Sequence, residues 1–371
     1  MSAGVVIAGG GLAAQRSAEA LRRGGYEGRV RIVTDELHAP YDRPPLSKDF
    51  LSGEREVDDL LLRPSGWHDE NGVELILGDA AAGLDVEGRR LLLESGRALD
   101  FEHLVIATGS RPRALPGAEG YANVFTLRSL DDALALREVL RPGARLVVLG
   151  AGLIGQEVAA TAGKAGAQVT MIEAEQLPLA RALHPELAAW IVELQREEGV
   201  EVLLGPRVEA LVGDGQTLEA LVLSDGTRVE LDALLVSIGI VPATEWVGTD
   251  VHELCAHPNF HVAGDAAGGN HWEQATHSGR AVAHAVLGKD APPMPVTTWW
   301  SDVHGVRIQG LGDPAGSGVL EIDGSLSERS FTAVAYRDGT PVAATAVARP
   351  RDVPRLRKLL TDDSTPLAEA S

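Results

Sequence analysis

Two glycine-rich loops constrain this chain more than anything else in it. The first lies in GVVIAGGGLAAQ, Gly4 to Gln15, where four apolar residues run into Gly9, Gly10 and Gly11 and then into a helical pattern. The second lies in RLVVLGAGLIGQE, Arg145 to Glu157, with Gly150, Gly152 and Gly155 between a β-rich strand and an alanine-rich helix. At such a junction the first glycine permits the tight turn and the second lets backbone approach a pyrophosphate. The third small residue lets helix and strand pack closely. The free N–H groups at the helix N-terminus then face the phosphates. The positions are Gly9, Gly11 and Ala14 in the first loop and Gly150, Gly152 and Gly155 in the second. Leu12, Ala13, Leu153 and Ile154 open the two helices beside the same phosphates. Two fingerprints about 140 residues apart predict two Rossmann-like α/β units, each built to hold a dinucleotide.

Acidic residues stand where each dinucleotide needs a ribose acceptor. Asp35 and Glu36 follow the strand over residues 29–34, and Glu36 is favoured of the two. Glu173 ends the strand over residues 168–173, 23 residues after Gly150. A carboxylate there repels a 2′-phosphate, and no arginine directly follows it, so NADH is expected over NADPH.

Composition narrows the class. A chain of 371 residues, 44% apolar and 23% charged, is long enough for two or three domains with sizeable cores. A formal charge of −20 argues against nucleic acid or an anionic membrane surface as partner. Cys255 is the one cysteine, so neither a disulfide framework nor a Cys-x-x-Cys redox pair exists within the chain. No run of 18 apolar residues suggests a membrane span, and a strand beginning by Val5 leaves no room for a signal peptide. A cytoplasmic protein without a metal site is the expectation.

Between the fingerprints lies PYDRPPLSK, Pro40 to Lys48, a stiff proline-rich loop with Ser47 placed as a helix cap. Residues 56–100 read as an apolar helix-and-hairpin region, and residues 101–109 as a buried strand ending in Ala-Thr-Gly, followed by Ser110 to Arg113. The order continues with FTLRSLDD from Phe125, a helix within residues 183–199, and a buried strand within residues 232–242. Further on come FHVAGDAA from Phe260, GGNHWEQATHSG from Gly268, and TWWSDVHGVRIQ from Thr298. Pro292 to Pro295 read as a linker, residues 329–336 and 340–346 as strands flanking a turn at Asp338-Gly339, residues 352–360 as a helix, and residues 361–371 as a frayed tail.

In this order the motifs resemble the FAD-dependent ferredoxin reductases, which include the reductase components of aromatic-ring dioxygenase and cytochrome P-450 systems, putidaredoxin reductase and rubredoxin reductase. The resemblance covers residues 4–360. It implies a glutathione-reductase-like two-dinucleotide-binding flavoprotein of α/β class with a small C-terminal α+β domain. The division expected is an FAD-binding domain in two parts (1–110 and 237–295), an NAD-binding domain (111–236) and a C-terminal domain (296–371).

Carried over position by position, the resemblance places Gly9, Gly11, Leu12, Ala13, Ala14, Asp35, Glu36, Arg43, Lys48, Ala80, Thr108, Gly109, Arg128, Asp265 and Trp272 around FAD. It places Gly150, Gly152, Leu153, Ile154, Gly155, Glu157, Glu173 and Gly239 around NAD. Arg43 and Lys48 lie against the flavin, Arg128 and Asp265 contact FAD, and Ala275 starts a helix aimed at the flavin. The pair Trp299–Trp300 covers one flavin face, with Trp300 the closer. Lys48, Glu157 and Trp300 are the candidates for a direct part in the reaction. The implied activity is NADH-dependent reduction, through FAD, of a [2Fe-2S] ferredoxin or a rubredoxin, by a monomer or homodimer. A rubredoxin or nitrite-linked reductase is the alternative within the class. A redox-sensing NADH-dependent interaction module like apoptosis-inducing factor is the alternative outside it. An NADH oxidase or peroxidase normally needs a redox cysteine near the flavin, and Cys255 lies late in the chain.

Two features stand apart from the family pattern. The stretches 247–259 and 265–272 are short, which bears on the wall of the flavin pocket. The acidic balance suits an acidic partner poorly, unless Arg307, Arg349, Arg351, Arg355 and Arg357 make a basic patch on the C-terminal domain.

Overall fold

A computed structural model describes residues 3–269 and 271–361. Asn270, within the stretch before Trp272, and the tail from Asp362 lie outside the described residues. The chain divides into two compact units, residues 1–42 with 56–111 and 240–295, and residues 43–55 with 112–239 and 296–371.

In the first unit five parallel strands are ordered Phe260–Val262, His103–Ile106, Val5–Ala8, Val30–Val33 and Val73–Ile76. Val5, Val6, Ile7 and Ala8 are buried completely, as a strand covered on both faces requires. The helix Leu12–Arg23 packs on the long helix Trp272–Val286 through small residues. Ser17 Oγ donates to Gly279 O at 3.0 Å, and a Cβ on Gly279 would lie 2.4 Å from Ala13 O. This close approach returns residues 260–287 to the first fingerprint.

The region over residues 56–100 contains two short 3-10 or helical turns, the strand Val73–Ile76 and a three-stranded antiparallel sheet. The shortened stretch after Trp246 folds as a helix turn, Val251–Leu254. Asp250 caps it by accepting from the N–H groups of His252 and Glu253. Val247, Val251 and Leu254 close the core beneath Phe101 and Phe260, so this stretch is sealed with apolar contacts.

The second unit repeats the architecture, with strands ordered Glu201–Leu204, Gln168–Glu173, Arg145–Leu149, Ala233–Val236 and Val124–Phe125, all parallel. The buried strand expected over residues 232–242 stops at Val236; Ile240–Pro242 is a separate strand. The same unit holds a five-stranded antiparallel sheet over residues 298–347 and the helix Val353–Thr361. Leu183, Leu187 and Ile191 form one core with Trp299, Ile308, Phe331 and Val347. Asp338 (φ +50°) and Gly339 (φ +77°) make the expected tight turn. Among the described residues no helix is long and apolar enough to cross a membrane.

Two predictions follow from this packing. Gly310 faces the Trp299 ring so closely that a Cβ there would lie 2.2 Å from it. Gly310→Ala displaces a buried indole and costs about 1–3 kcal/mol, read as a lower urea midpoint; an unchanged midpoint refutes the contact.

The second concerns His103 and His261, which stack at 5.4 Å with Nδ1 and Nε2 3.2 Å apart. Burial first, and the neighbouring His103 second, push the His261 imidazole from 6.5 down to about 4. Below 6.5 the unfolded chain takes up a proton that the folded chain refuses until about 4, so stability is full above that window and lost through it. Between about pH 7.5 and 5.5, wild type loses more unfolding free energy than His261→Asn, by on the order of 1 kcal/mol. Parallel pH profiles would remove this pair as the cause.

Candidate functional site

In a parallel sheet all strand carboxyl ends share one edge, and ligands bind in the crevice where strand order reverses. In the first unit that edge carries the first glycine loop, Glu36, Ala80, Thr108, Gly109 and Asp265, each just past the end of its strand. Gly9 turns the chain at φ +118°. A Cβ on Gly11 would meet nothing within 4 Å, and the helix beginning at Leu12 has neither a side-chain cap nor an acidic residue in its first turn. Its first N–H donors are therefore left for an anion, and the open face over Gly11 leaves room for one. These features fit a dinucleotide pyrophosphate. Ala14 is fully buried and lets the helix seat on the sheet.

The side chains on this edge are held in place. Glu36 Oε2 accepts from the Tyr41 hydroxyl, whereas Asp35 is exposed and accepts from Thr34 Oγ1 at 3.2 Å. Asp265 Oδ2 accepts from Ser110 Oγ at 2.7 Å, and Thr108 Oγ1 donates to Ala243 O at 2.6 Å. Trp272 Nε1 donates to Asp42 Oδ1 at 2.8 Å, with the Arg16 guanidinium 5.9 Å from the ring centre. The helix expected to start at Ala275 starts at Trp272, because His271 is extended and supplies the first carbonyl, to Ala275 N. Burial pushes the His271 imidazole down against the opposing pull of Asp265.

The second unit presents the same edge. Gly150 turns at φ +100°, Gly152 is the uncapped start of the helix Leu153–Lys164, and a Cβ on Gly152 would meet nothing within 4 Å. Gly155 is the packing position, where a Cβ would lie 2.1 Å from Gly150 O. Leu153 and Ile154 form the first turn, and Gly239 follows the strand Ala233–Val236 on this edge. Glu173 braces the loop, its Oε2 accepting from Ala151 N at 2.9 Å and its Oε1 from Glu175 N at 3.0 Å.

Inside the second unit lies a buried charged cluster. Glu157 is 5% exposed and pairs through Oε2 with Lys48 Nζ at 2.6 Å. Ser47 Oγ donates to Oε2 and Ser301 Oγ donates to Oε1 at 2.7 Å. Lys48 Nζ also donates to Pro44 O at 3.0 Å, and Thr161 Oγ1 donates to Ser47 O at 2.8 Å. Ser47 is thus the end of a 3-10 turn, Pro44–Ser47, and not a helix cap: no helix follows it, and its hydroxyl is spent on Glu157. Arg43 Nη1 donates to Arg128 O, bringing those two arginines together in this unit.

Trp299 does not belong to a face-covering pair. Strand alternation sends it to the core against Gly310 and leaves Trp300 on the opposite, half-buried face. Three of the five arginines expected to make a basic patch on the C-terminal domain are paired with acids. Arg307 pairs with Asp302 at 2.8 Å, Arg349 with Asp323 at 3.2 Å and Arg355 with Asp352 at 3.9 Å. Cys255 is half-buried, and burial raises its thiol pKa. Among the described residues no group of three His, Cys, Asp or Glu side chains is arranged to hold a metal.

Sequence reasoning missed Ser47 and Ser301 as donors to Glu157, Ser110 on Asp265, and Asp42 on Trp272. A hydroxyl immediately after the tryptophan pair carried the only sequence trace of Ser301.

Residues 3–279 match the family model described as pyridine nucleotide-disulphide oxidoreductase, and residues 298–371 match that described as reductase C-terminal. The chain is 37% identical to the chlorobenzene dioxygenase ferredoxin reductase component of Cupriavidus sp. (strain PS12), over 97% of this chain and 93% of that protein. It is 36% identical to the benzene 1,2-dioxygenase system ferredoxin–NAD(+) reductase subunit of Pseudomonas putida, over 96% and 92%. Among solved structures, that of the covalent putidaredoxin reductase–putidaredoxin complex matches with a TM-score of 0.90 at 30% identity, covering 97% of this chain and 93% of that one.

Removing one partner of the buried pair tests the cluster. Lys48→Met leaves the Glu157 carboxylate buried with two hydroxyl donors and costs about 3–5 kcal/mol in urea unfolding. Lys48→Met with Glu157→Gln recovers part of that loss. A double variant no more stable than the single one argues against the pairing.

Proposed function

Because the chain belongs to the pyridine nucleotide-disulphide oxidoreductase family, we propose that it is an FAD-dependent NADH:ferredoxin reductase. The observation that carries the reading is the pair of equivalent sheet edges, each with an uncapped helix N-terminus behind an open glycine. The single cysteine allows no redox disulfide within the chain, so the electrons have no internal thiol route. Bound at the first edge, FAD would supply hydride acceptance from NADH and one-electron release to a protein carrier.

The chain's own residues bind and orient. Gly9, Gly11, Leu12, Ala13 and Ala14 hold the FAD pyrophosphate, and Glu36 takes the adenosine ribose. Ala80, Thr108, Gly109, Asp265 and Trp272 line the rest of the first site. Gly150, Gly152, Leu153, Ile154, Gly155 and Gly239 hold NADH, with Glu173 on its ribose. Arg43, Lys48 and Arg128 are assigned to the flavin by the family resemblance alone. Ser47, Ser301 and Lys48 keep Glu157 oriented on the helix that starts at the NADH loop, and Trp300 stands toward the electron exit.

The carrier is a [2Fe-2S] ferredoxin or a rubredoxin; the names of the relatives speak for a ferredoxin. The protein works in the cytoplasm as a monomer or homodimer, in the domain division 1–110 with 237–295, 111–236 and 296–371.

The test is the visible spectrum of the purified protein, repeated anaerobically with one equivalent of NADH or NADPH. A yellow protein that bleaches quickly with NADH and slowly with NADPH is expected. A protein that stays colourless after added FAD overturns the reading. Glu173→Ala lowers kcat/KM for NADH by roughly 10–100-fold, the worth of a hydrogen bond to a charged group, with a smaller loss for NADPH. Equal losses with both nucleotides exclude the ribose role.

A further inference from the structure

Behind the second glycine loop runs a buried chain of side chains that no part of the reaction uses. The Ala151 carbonyl, inside the loop, accepts from Gln156 Nε2 at 3.2 Å. Gln195 Nε2 donates to Gln156 Oε1 at 2.6 Å and to Gln156 O at 3.1 Å. Gln195 Oε1 then meets His304 Nε2 at 2.7 Å. Ala151 and Gln195 are fully buried and Gln156 is 1% exposed. His304 sits in the turn between the strands Thr298–Val303 and Val306–Gly312 of the C-terminal sheet, in the left-handed region at φ +49°.

The polarity of this chain is fixed. A carbonyl only accepts, so Gln156 presents its amide nitrogen to Ala151 and its oxygen to Gln195. Gln195, giving its nitrogen to Gln156, presents its oxygen to His304, which must therefore carry a proton on Nε2. Burial lowers the His304 pKa, opposed by Glu198 and aided by Arg329, which favours the neutral Nε2–H form. Meanwhile the Ala151 N–H is held from the other side by Glu173. Both main-chain polar groups of this loop residue are thus spoken for, one by the ribose carboxylate and one by the relay.

We propose that His304, through Gln195 and Gln156, is a positioning residue for the NADH-binding loop, so that the C-terminal sheet sets the geometry on which the pyrophosphate sits. This rests on the second fingerprint being the NADH site. A loop held only by Glu173 would tilt the Ala151 peptide and misalign the donors that follow it. The expected signature is weaker nucleotide binding with little change in turnover at saturation.

The experiment titrates FAD-loaded protein with NAD⁺ by calorimetry and measures steady-state kinetics with NADH and ferricyanide. Three variants are compared with wild type. His304→Asn suits the left-handed backbone but is too short to reach Gln195. His304→Gln reaches it and donates. Gln156→Met keeps the volume and removes the donor to Ala151. Thermal melts select folded variants, and Gln156→Met tests the relay from its other end should His304→Asn prove unstable.

His304→Asn and Gln156→Met are expected to raise the Kd for NAD⁺ and the KM for NADH about tenfold, the scale of one lost buried hydrogen bond, with kcat within about twofold. His304→Gln restores both. The His304→Asn/Gln156→Met double variant binds no more weakly than Gln156→Met alone, because one relay is cut once. In ¹⁵N spectra, wild-type His304 is the Nε2–H tautomer. An unchanged Kd in folded His304→Asn, or effects that multiply in the double variant, overturns the proposal. Wild type that fails to bind NAD⁺ at all overturns the nucleotide reading instead.

Discussion

A carboxylate buried in a protein must be paired and fully hydrogen-bonded or it is driven neutral. Glu157 meets that demand with the adjacent Ser47 and Lys48 and with Ser301, from two stretches of chain far from it in sequence. The requirement explains why residues 43–55 cluster with residues 112–239 and 296–371, although in sequence they interrupt the first sheet's unit. The proline-rich loop cannot wander while its lysine is the counter-ion of a helix in another sheet, and Phe50 under the Arg137 guanidinium, 5.1 Å away, adds a second tether. One ion pair thereby fixes where the chain must cross over.

The nucleotide edges depend on a different economy, the omission of side chains. At Gly11 and Gly152 nothing stands over the backbone, and at Gly155 and Gly279 backbone comes where a methyl group would not fit. These positions were legible because glycine spacing reports a geometry directly: a turn at positive φ, an open approach and a close contact each exclude a Cβ. The same is true of Glu173, whose place at a strand end follows from strand length and helix length together.

What sequence left hidden is long-range and polar. Glu157 reads as a helix-surface glutamate until Lys48 and two serines, 110 and 144 residues away for Ser47 and Ser301, are brought to it. The tryptophan pair looked like one aromatic surface because adjacency in a string does not show strand alternation; Gly310 opposite Trp299 is the residue that decides which ring goes inside. The helix start at Trp272 instead of Ala275 turns on the extended backbone of His271, which no side-chain pattern announces. The C-terminal arginines looked like a docking field because their acids, Asp302, Asp323 and Asp352, pair with them only in the fold.

That neutralisation changes how a carrier protein must be recognised. In a chain of net charge −20 whose Arg307, Arg349 and Arg355 are paired with aspartates, long-range attraction of an acidic partner has little to draw on. Encounter then depends on close-range fit, and the C-terminal sheet has other work that would constrain its surface. One strand and its turn, residues 298–304, carry Trp299 into the core, Ser301 to Glu157 and His304 to the amide relay behind the NADH loop. Alternation along the strand explains the division: Trp299, Ser301 and Val303 point to the buried side and Trp300 and Asp302 to the other. A sheet so tied to the second nucleotide edge cannot shift on partner binding without moving the groups that hold Glu157. Docking a carrier on this sheet is therefore coupled, through Ser301 and His304, to the geometry of the second nucleotide edge.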